Sequence, residues 1–239
     1  MKKSDESFFF YSDGIKVPVI LKTHSNARRI IMRVSCNRDL SGTNLIFVTL
    51  PIGVHEIEAR KFLEKNESWV AQQLTKLPLA IQFVDGAQVP YFGVPHKIVH
   101  KPSARRGVWK ERQMIFVSGN TEFINRRVID WFKKEARVIF TSRVKSKTSL
   151  LNIGFGRISI RDTHSRWGSC SSNGNLSFSW RLLMAPDFVF DYVISHEVAH
   201  ILEHNHGQKF WELTKSLSSD MLAAKRWLKE FGDGLMAYY

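Results

Sequence analysis

Short β-branched and aromatic runs alternate with turn residues over the first part of the chain. Pro18 to Thr23, Arg29 to Ser35 and Leu45 to Leu50 read as strands, separated by Ser25-Asn26 and Ser41-Gly42-Thr43. From about His55 to Leu77 the period changes. Ile57, Phe62, Leu63, Trp69, Val70 and Leu74 recur at helical spacing, and Pro78 stops the helix because it cannot continue the hydrogen-bond ladder. Further strands are expected around Tyr91-Phe92, Lys97 to His100 and Met114 to Val117. A second part begins near Thr121. There Phe123, Val128, Phe132, Ala136, Ile139, Phe140 and Val144 mark a long amphipathic helix with lysines and arginines on its other face. Gly154 and Gly156 break the chain before a strand from Arg157 to Asp162. Asn175 to Trp180 alternates again, and Asn173-Gly174 ahead of it is a two-residue hairpin signal. Pro186-Asp187 then opens an apolar helix. No internal repeat is read. The pattern predicts an α+β fold, with a β-rich N-terminal domain of unknown role over residues 1–120 and a second domain over 121–239.

Composition narrows the class. With 44% hydrophobic and 12% aromatic residues in 239, the chain can bury a core. The opening MKKSDESFFFYSDG is interrupted by acidic and polar residues and is not a secretory signal. No run approaches the roughly 18 apolar residues of a membrane span. The two cysteines, Cys36 and Cys170, form no CxxC pair, which excludes a disulfide framework and a cysteine zinc site. A cytoplasmic protein without a membrane partner is expected. Against 22 Asp+Glu stand 35 Lys+Arg, a formal charge of +13 that favours contact with polyanions such as nucleic acid. The basic pairs (Arg28-Arg29, Arg105-Arg106, Arg126-Arg127, Lys133-Lys134) are dispersed and outline no groove.

The chemistry concentrates in residues 191–211, DYVISHEVAHILEHNHGQKFW. On a helix His196 and His200 lie one turn apart and only about 40° out of line, so both imidazoles can meet one ion. Glu197 lies about 100° around from His196, beside the ion, where its carboxylate can take a proton from a water the metal activates. In a chain with nine histidines an HExxH motif is expected by chance about 0.02 times, so accident is set aside. A catalytic zinc needs a third protein ligand and an open position. Candidates are His204, His206, Glu203 and Glu212. On a continued helix His204 would stand about 12 Å along the axis from His196, so the helix must end first. A reversal at Asn205 and Gly207, which tolerate left-handed backbone, would turn His206 back; Glu212 is its chief rival.

With these residues in hand the chain resembles the YgjP-like metallopeptidase family, relatives of the SprT-like zincins. The resemblance rests on Arg166-Trp167-Gly168-Ser169-Cys170, Leu176 to Leu182, Ala185-Pro186, Asp191-Tyr192-Val193, the HExxH at 196–200, Asn205-His206, Phe210-Trp211 and Trp227-Leu228. Gly207 departs from it, since members often carry serine there. The resemblance implies a zincin-like catalytic domain over 121–239, one zinc ion, His206 as the third ligand, and a peptide or protein substrate. In such folds a strand beside the active-site helix pairs with extended substrate, either Asn175 to Trp180 or Arg166 to Cys170. Arg166 could orient a carboxylate or phosphate, or Trp167 could pack, Gly168 bend and Arg166 pair structurally. His204 could help bind substrate. Cys170 is read as a small buried residue. Two other functions stand beside the peptidase. One is a metal-dependent nucleotide phosphohydrolase. The other is a DNA-associated peptidase or nucleic-acid-binding zinc module, which the basic charge permits and Glu197 argues against in its purely structural form.

Overall fold

The alternating apolar positions of the first eighty residues fold into a four-stranded sheet backed by two short helices. The computed structural model describes residues 7–12, 14–36, 44–76, 81–163 and 166–239. The expected turn at 41–43 and the helix stop at 77–78 lie outside them, as do His164 and Ser165. Strands β1 (Ser7–Ser12), β2 (Ile15–Thr23), β3 (Ile31–Cys36) and β4 (Asn44–Leu50) lie in the order β1-β2-β4-β3. The central pair β2/β4 is parallel and the outer pairs are antiparallel. One face, with Phe8, Phe10, Val17, Val19, Leu21, Ile46, Val48 and Leu50, is buried with Ala59 and Leu63 of α1 (Glu56–Lys65) and Val70 and Leu74 of α2 (Glu67–Lys76). β1 was not expected, for a physical reason. Its run of four aromatics puts Phe8 and Phe10 inside and Phe9 and Tyr11 outside, so no polar alternation marks it. The single helix expected over 55–77 is two. Asn66 ends the first by donating its side-chain amide to the Phe62 carbonyl at 2.7 Å and its backbone N–H to Leu63.

Compactness divides the chain at 80/81 rather than at 120/121. The strands from 88 to 117 share a core with the long helix that follows, which is why they belong to the second unit. They are β5 (Gln88–Tyr91), β6 (Val94–His100), β7 (Val108–Glu111) and β8 (Met114–Val117), in the order β5-β6-β8-β7. The strand order and the parallel central pair are those of the first sheet. The register repeats too, since Leu21 opposes Val48 as Ile98 opposes Ile115. Even the connection after the second strand closes alike, Ala27 N–H on His24 O at 3.1 Å and Ala104 N–H on Lys101 O at 3.0 Å. Each connection carries Ala-Arg-Arg (27–29 and 104–106). A repeat is therefore present where none was read.

The helix α3 (Ile124–Leu150) buries Val128, Phe132, Ala136, Phe140 and Val144, spaced four residues apart. A third sheet follows, with β9 (Ile158–Arg161), β10 (Gly168–Cys170) and β11 (Leu176–Ser179) in the order β10-β11-β9. The turn between β10 and β11 is longer than the two residues expected: Ser171 N–H meets Asn175 O at 2.9 Å around a loop whose Gly174 has φ +68°. Then come α4 (Asp187–Ala199), α5 (Gln208–Leu217) and α6 (Met221–Leu235). α4 is apolar nearly all round and packs against α3, α5 and α6. A charge network, buried at Lys147 and Asp191 and open to solvent at Arg143 and Asp187, ties it to α3. Lys147 of α3, expected on the polar face, is buried and reaches Asp191 of α4 at 2.7 Å and the Leu217 carbonyl at 2.6 Å. Arg143 bonds Asp187 at 2.6 Å and Asp191 at 3.3 Å. Removing one member of the Lys147–Asp191 pair leaves a buried charge uncompensated, at about 3–5 kcal/mol. Among the described residues no helix is long and apolar enough to cross a membrane.

Candidate metal centre

α4 delivers His196 and Glu197 from its last turn, and His200 stands at its C-terminal cap. The chain then turns as Ile201 N–H donates to the Val198 carbonyl and the N–H groups of Leu202 and Glu203 donate to the Ala199 carbonyl, and it runs back to α5. This reversal uses no left-handed residue, because Gly207 has φ −77° and Asn205 is not among the positive-φ positions. It nonetheless brings His206 back onto the helix. The Nε2 atoms of His196 and His206 lie 3.3 Å apart, and ligand atoms of His196, His200 and His206 all fall within 4.8 Å of one another. Bonds of about 2.0–2.1 Å to one tetrahedral ion require an edge of about 3.3 Å between ligand nitrogens, which the His196–His206 pair matches, and the third imidazole is near enough to complete a group that could hold a small divalent metal. Glu212, the rival, instead accepts from Gln208 at 2.8 Å and is outside the cluster.

The three imidazoles sit in different surroundings. His200 donates Nδ1–H to the Glu203 carbonyl at 3.0 Å, which fixes the tautomer and leaves its Nε2 lone pair free. Burial, reinforced by His200, His206 and Lys225, pushes the His196 pKa down to about 4, so that ring is neutral at pH 7 as a ligand must be. His200 is lowered as well, by burial first and in smaller part by His206 and His204. The His206 ring is exposed but supported. It stacks on Trp211 (centroids 5.4 Å, 20°) and meets Phe210 edge-on, and Lys225 sits 3.5 Å above Trp211. This aromatic floor was not read from the sequence. Its signal was Phe210-Trp211 one turn into the next helix.

Glu197 is buried, and its pKa is pushed up to about 7 by burial, against a smaller downward pull from Arg166. Arg166 itself is exposed, as is His204. What holds Glu197 is Gly168 of β10. A Cβ built there would stand 2.6 Å from Glu197 Cγ and Oε1, so only glycine lets the strand approach. Gly168 is thus a strand residue making a close contact rather than a bend, while Trp167 packs over Gly232 of α6. Of the two strands considered as an edge, β11 is central and β10 is the sheet edge packed along α4. Cys170 is half-buried, and burial followed by the nearby Glu197 raises its thiol pKa.

The family model of the YgjP-like metallopeptidase domain matches residues 37–231. The chain belongs to the YgjP-like metallopeptidase family. A metallopeptidase implies a metal ion, and in this YgjP-like domain the triad of imidazoles is the group of side chains suited to it among the described residues. Curated proteins provide no match. A solved structure, the metallopeptidase zymogen of Pyrococcus abyssi abylysin, aligns with 39% of this chain and 95% of that one at 16% identity and a TM-score of 0.35.

Proposed function

We propose that this metallopeptidase is a zinc enzyme of the HExxH type that cleaves peptide bonds, with His196, His200 and His206 as ligands and Glu197 as general base. The observation that carries the reading is the meeting of three imidazoles, with His196 and His200 held toward the neutral form by burial, beside a buried carboxyl with a pKa of about 7. Zinc bound there would supply Lewis acidity to water and to a scissile carbonyl. Glu197, poised near neutral pH, accepts the proton of the attacking water and returns it to the leaving amine. Gly168 keeps that carboxylate in one place. The edge strand β10 has backbone groups that can pair with an extended peptide beside the base. Arg166, exposed next to Glu197, and His204 would contact the bound chain.

The test is a mixed peptide library incubated with zinc-loaded wild type, Glu197→Gln and His200→Ala, with fragments read by mass spectrometry and metal content by elemental analysis. Glu197→Gln should keep its zinc and lose activity by about 10²-fold or more. His200→Ala should lose the metal. Equal fragmentation by wild type and Glu197→Gln removes Glu197 from its role, and a fully loaded His200→Ala refutes the ligand set. If no peptide is cut while nucleoside triphosphates are hydrolysed, the peptidase reading is replaced by the nucleotide one.

A further inference from the structure

The open face of the first sheet has a composition unlike an ordinary solvent face. None of the strands β1 to β4 contains Asp or Glu. The register places Phe9 opposite Pro18, Tyr11 opposite Lys16, Ile20 opposite Phe47, and Arg33 opposite Phe47 from the other side, all on the face away from α1 and α2. Two of its rings stand well out in solvent, Phe9 at 52% and Tyr11 at 62% exposure. Cations lie on the same face beside the rings: Lys16 Nζ is 4.0 Å from the Phe9 centroid, and the Arg33 guanidinium is 5.3 Å and Lys22 Nζ 5.8 Å from that of Phe47. The loop at its end adds exposed Arg28 and Arg29.

Solvated rings are costly to leave uncovered, and strands that carry Lys and Arg but no Asp or Glu repel basic partners and concentrate polyanions. A ligand that satisfies both features must present flat apolar faces and repeated negative charge together. Unpaired nucleotides do so, with bases to stack on the rings and phosphates for the cations, and a four-stranded sheet bearing aromatics is a surface suited to them. A duplex hides its base faces and would use only the charges. Lys16, a flexible side chain, can leave the Phe9 ring to a base and take a phosphate instead.

We infer that the open face of β1–β4 binds single-stranded nucleic acid, with Phe9, Tyr11 and Phe47 as stacking positions and Lys16, Arg33, Arg28 and Arg29 as phosphate contacts. This site is separate in its residues from the metal centre and stands whether or not the peptidase reading does.

The test is fluorescence anisotropy of a labelled oligothymidylate titrated with the full-length protein over a range of salt. Wild type should bind the single strand more tightly than a duplex of the same length. Phe9→Ala with Tyr11→Ala should weaken binding by about tenfold or more, and Tyr11→Phe should bind as wild type. Lys16→Gln with Arg33→Gln should lower the slope of log affinity against log salt by about 1.4. That second pair keeps the test decisive if the ring variant fails to fold by circular dichroism. Absence of binding at low salt overturns the inference. So does binding that the ring and charge variants leave unchanged, or equal affinity for the duplex. Ring-dependent binding to phosphatidylserine vesicles without binding to the oligonucleotide would reassign the face to a membrane surface.

Discussion

The two four-stranded sheets share strand order, a parallel central pair and register, yet they are put to different uses. In the second, the β5–β6 turn is built into the catalytic half. Phe92 and Gly93, both at positive φ, donate their N–H groups to the carbonyls of Leu183 and Met184 at 2.7 and 3.2 Å. The Phe92 ring meets Phe190 of α4 edge-on at 5.2 Å. In the first, Gly14 has the same φ of +75° as Gly93, but nothing lies within 4 Å of where its Cβ would be. Its outward strand positions carry aromatics and cations. The same hydrogen-bond plan can thus serve as a scaffold or as a surface, and the residues at the turn and on the outer face decide which.

Four substitutions or conditions would break or sharpen that contrast. The largest effect is expected from Phe190→Ala, which empties a fully buried position where α4 meets α3 and the second sheet. It should cost about 3–5 kcal/mol in urea unfolding and take metal affinity down with it. Next, Gly93→Ala should cost more than Gly14→Ala. Both variants suffer the left-handed backbone, about 1–2 kcal/mol, but only Gly93 also drives a Cβ to 3.1 Å from Pro186 Cγ, adding about 1 kcal/mol or more. Equal losses would mean that the second turn is not anchored as described.

The third concerns pH in metal-free protein, where two neighbours on α4 act in opposite senses. Depression of His196 to about 4 means that the unfolded chain binds more protons, so this group makes stability rise between about pH 4 and 6.5. Elevation of Glu197 to about 7 means that the folded chain binds more, so this group makes stability fall between about pH 4.5 and 7. The two largely cancel in wild type. Glu197→Gln should remove the second and leave melting temperature rising with pH from 4 to 6.5; a flat profile in that variant would show that His196 is not held neutral. The smallest effect belongs to the first sheet. Tyr11→Ala should change stability by no more than about 0.5 kcal/mol, because the ring it removes is largely in water.

Much of this architecture was legible because its periods are local. The four-residue spacing of Val128, Phe132, Ala136, Phe140 and Val144 places α3, and the spacing of His196, Glu197 and His200 places two imidazoles and a carboxyl at the end of one helix. His206 was harder, since its return depends on the length of the turn and on support from Trp211 and Lys225. The division of the chain was misplaced because strands 88–117 look like the earlier strands locally. Only their shared core with Phe132 and Trp180 assigns them to the second unit. The repeat escaped notice because it is conserved in hydrogen bonding and register, which leave few identical side chains behind. Asp191 gave no sign of its role, as its partners lie 44 and 48 residues away on α3.

The contact between Gly168 and Glu197 behaves like a bearing. With 2.6 Å between the space a Cβ would fill and the carboxylate, strand and helix run on a single clearance set by one hydrogen atom. Whatever presses on β10 from outside is felt directly by Glu197, and whatever shifts α4 moves the strand. Alignment between the two is therefore held by exclusion of volume, which does not weaken with salt or pH as an attraction between charges would.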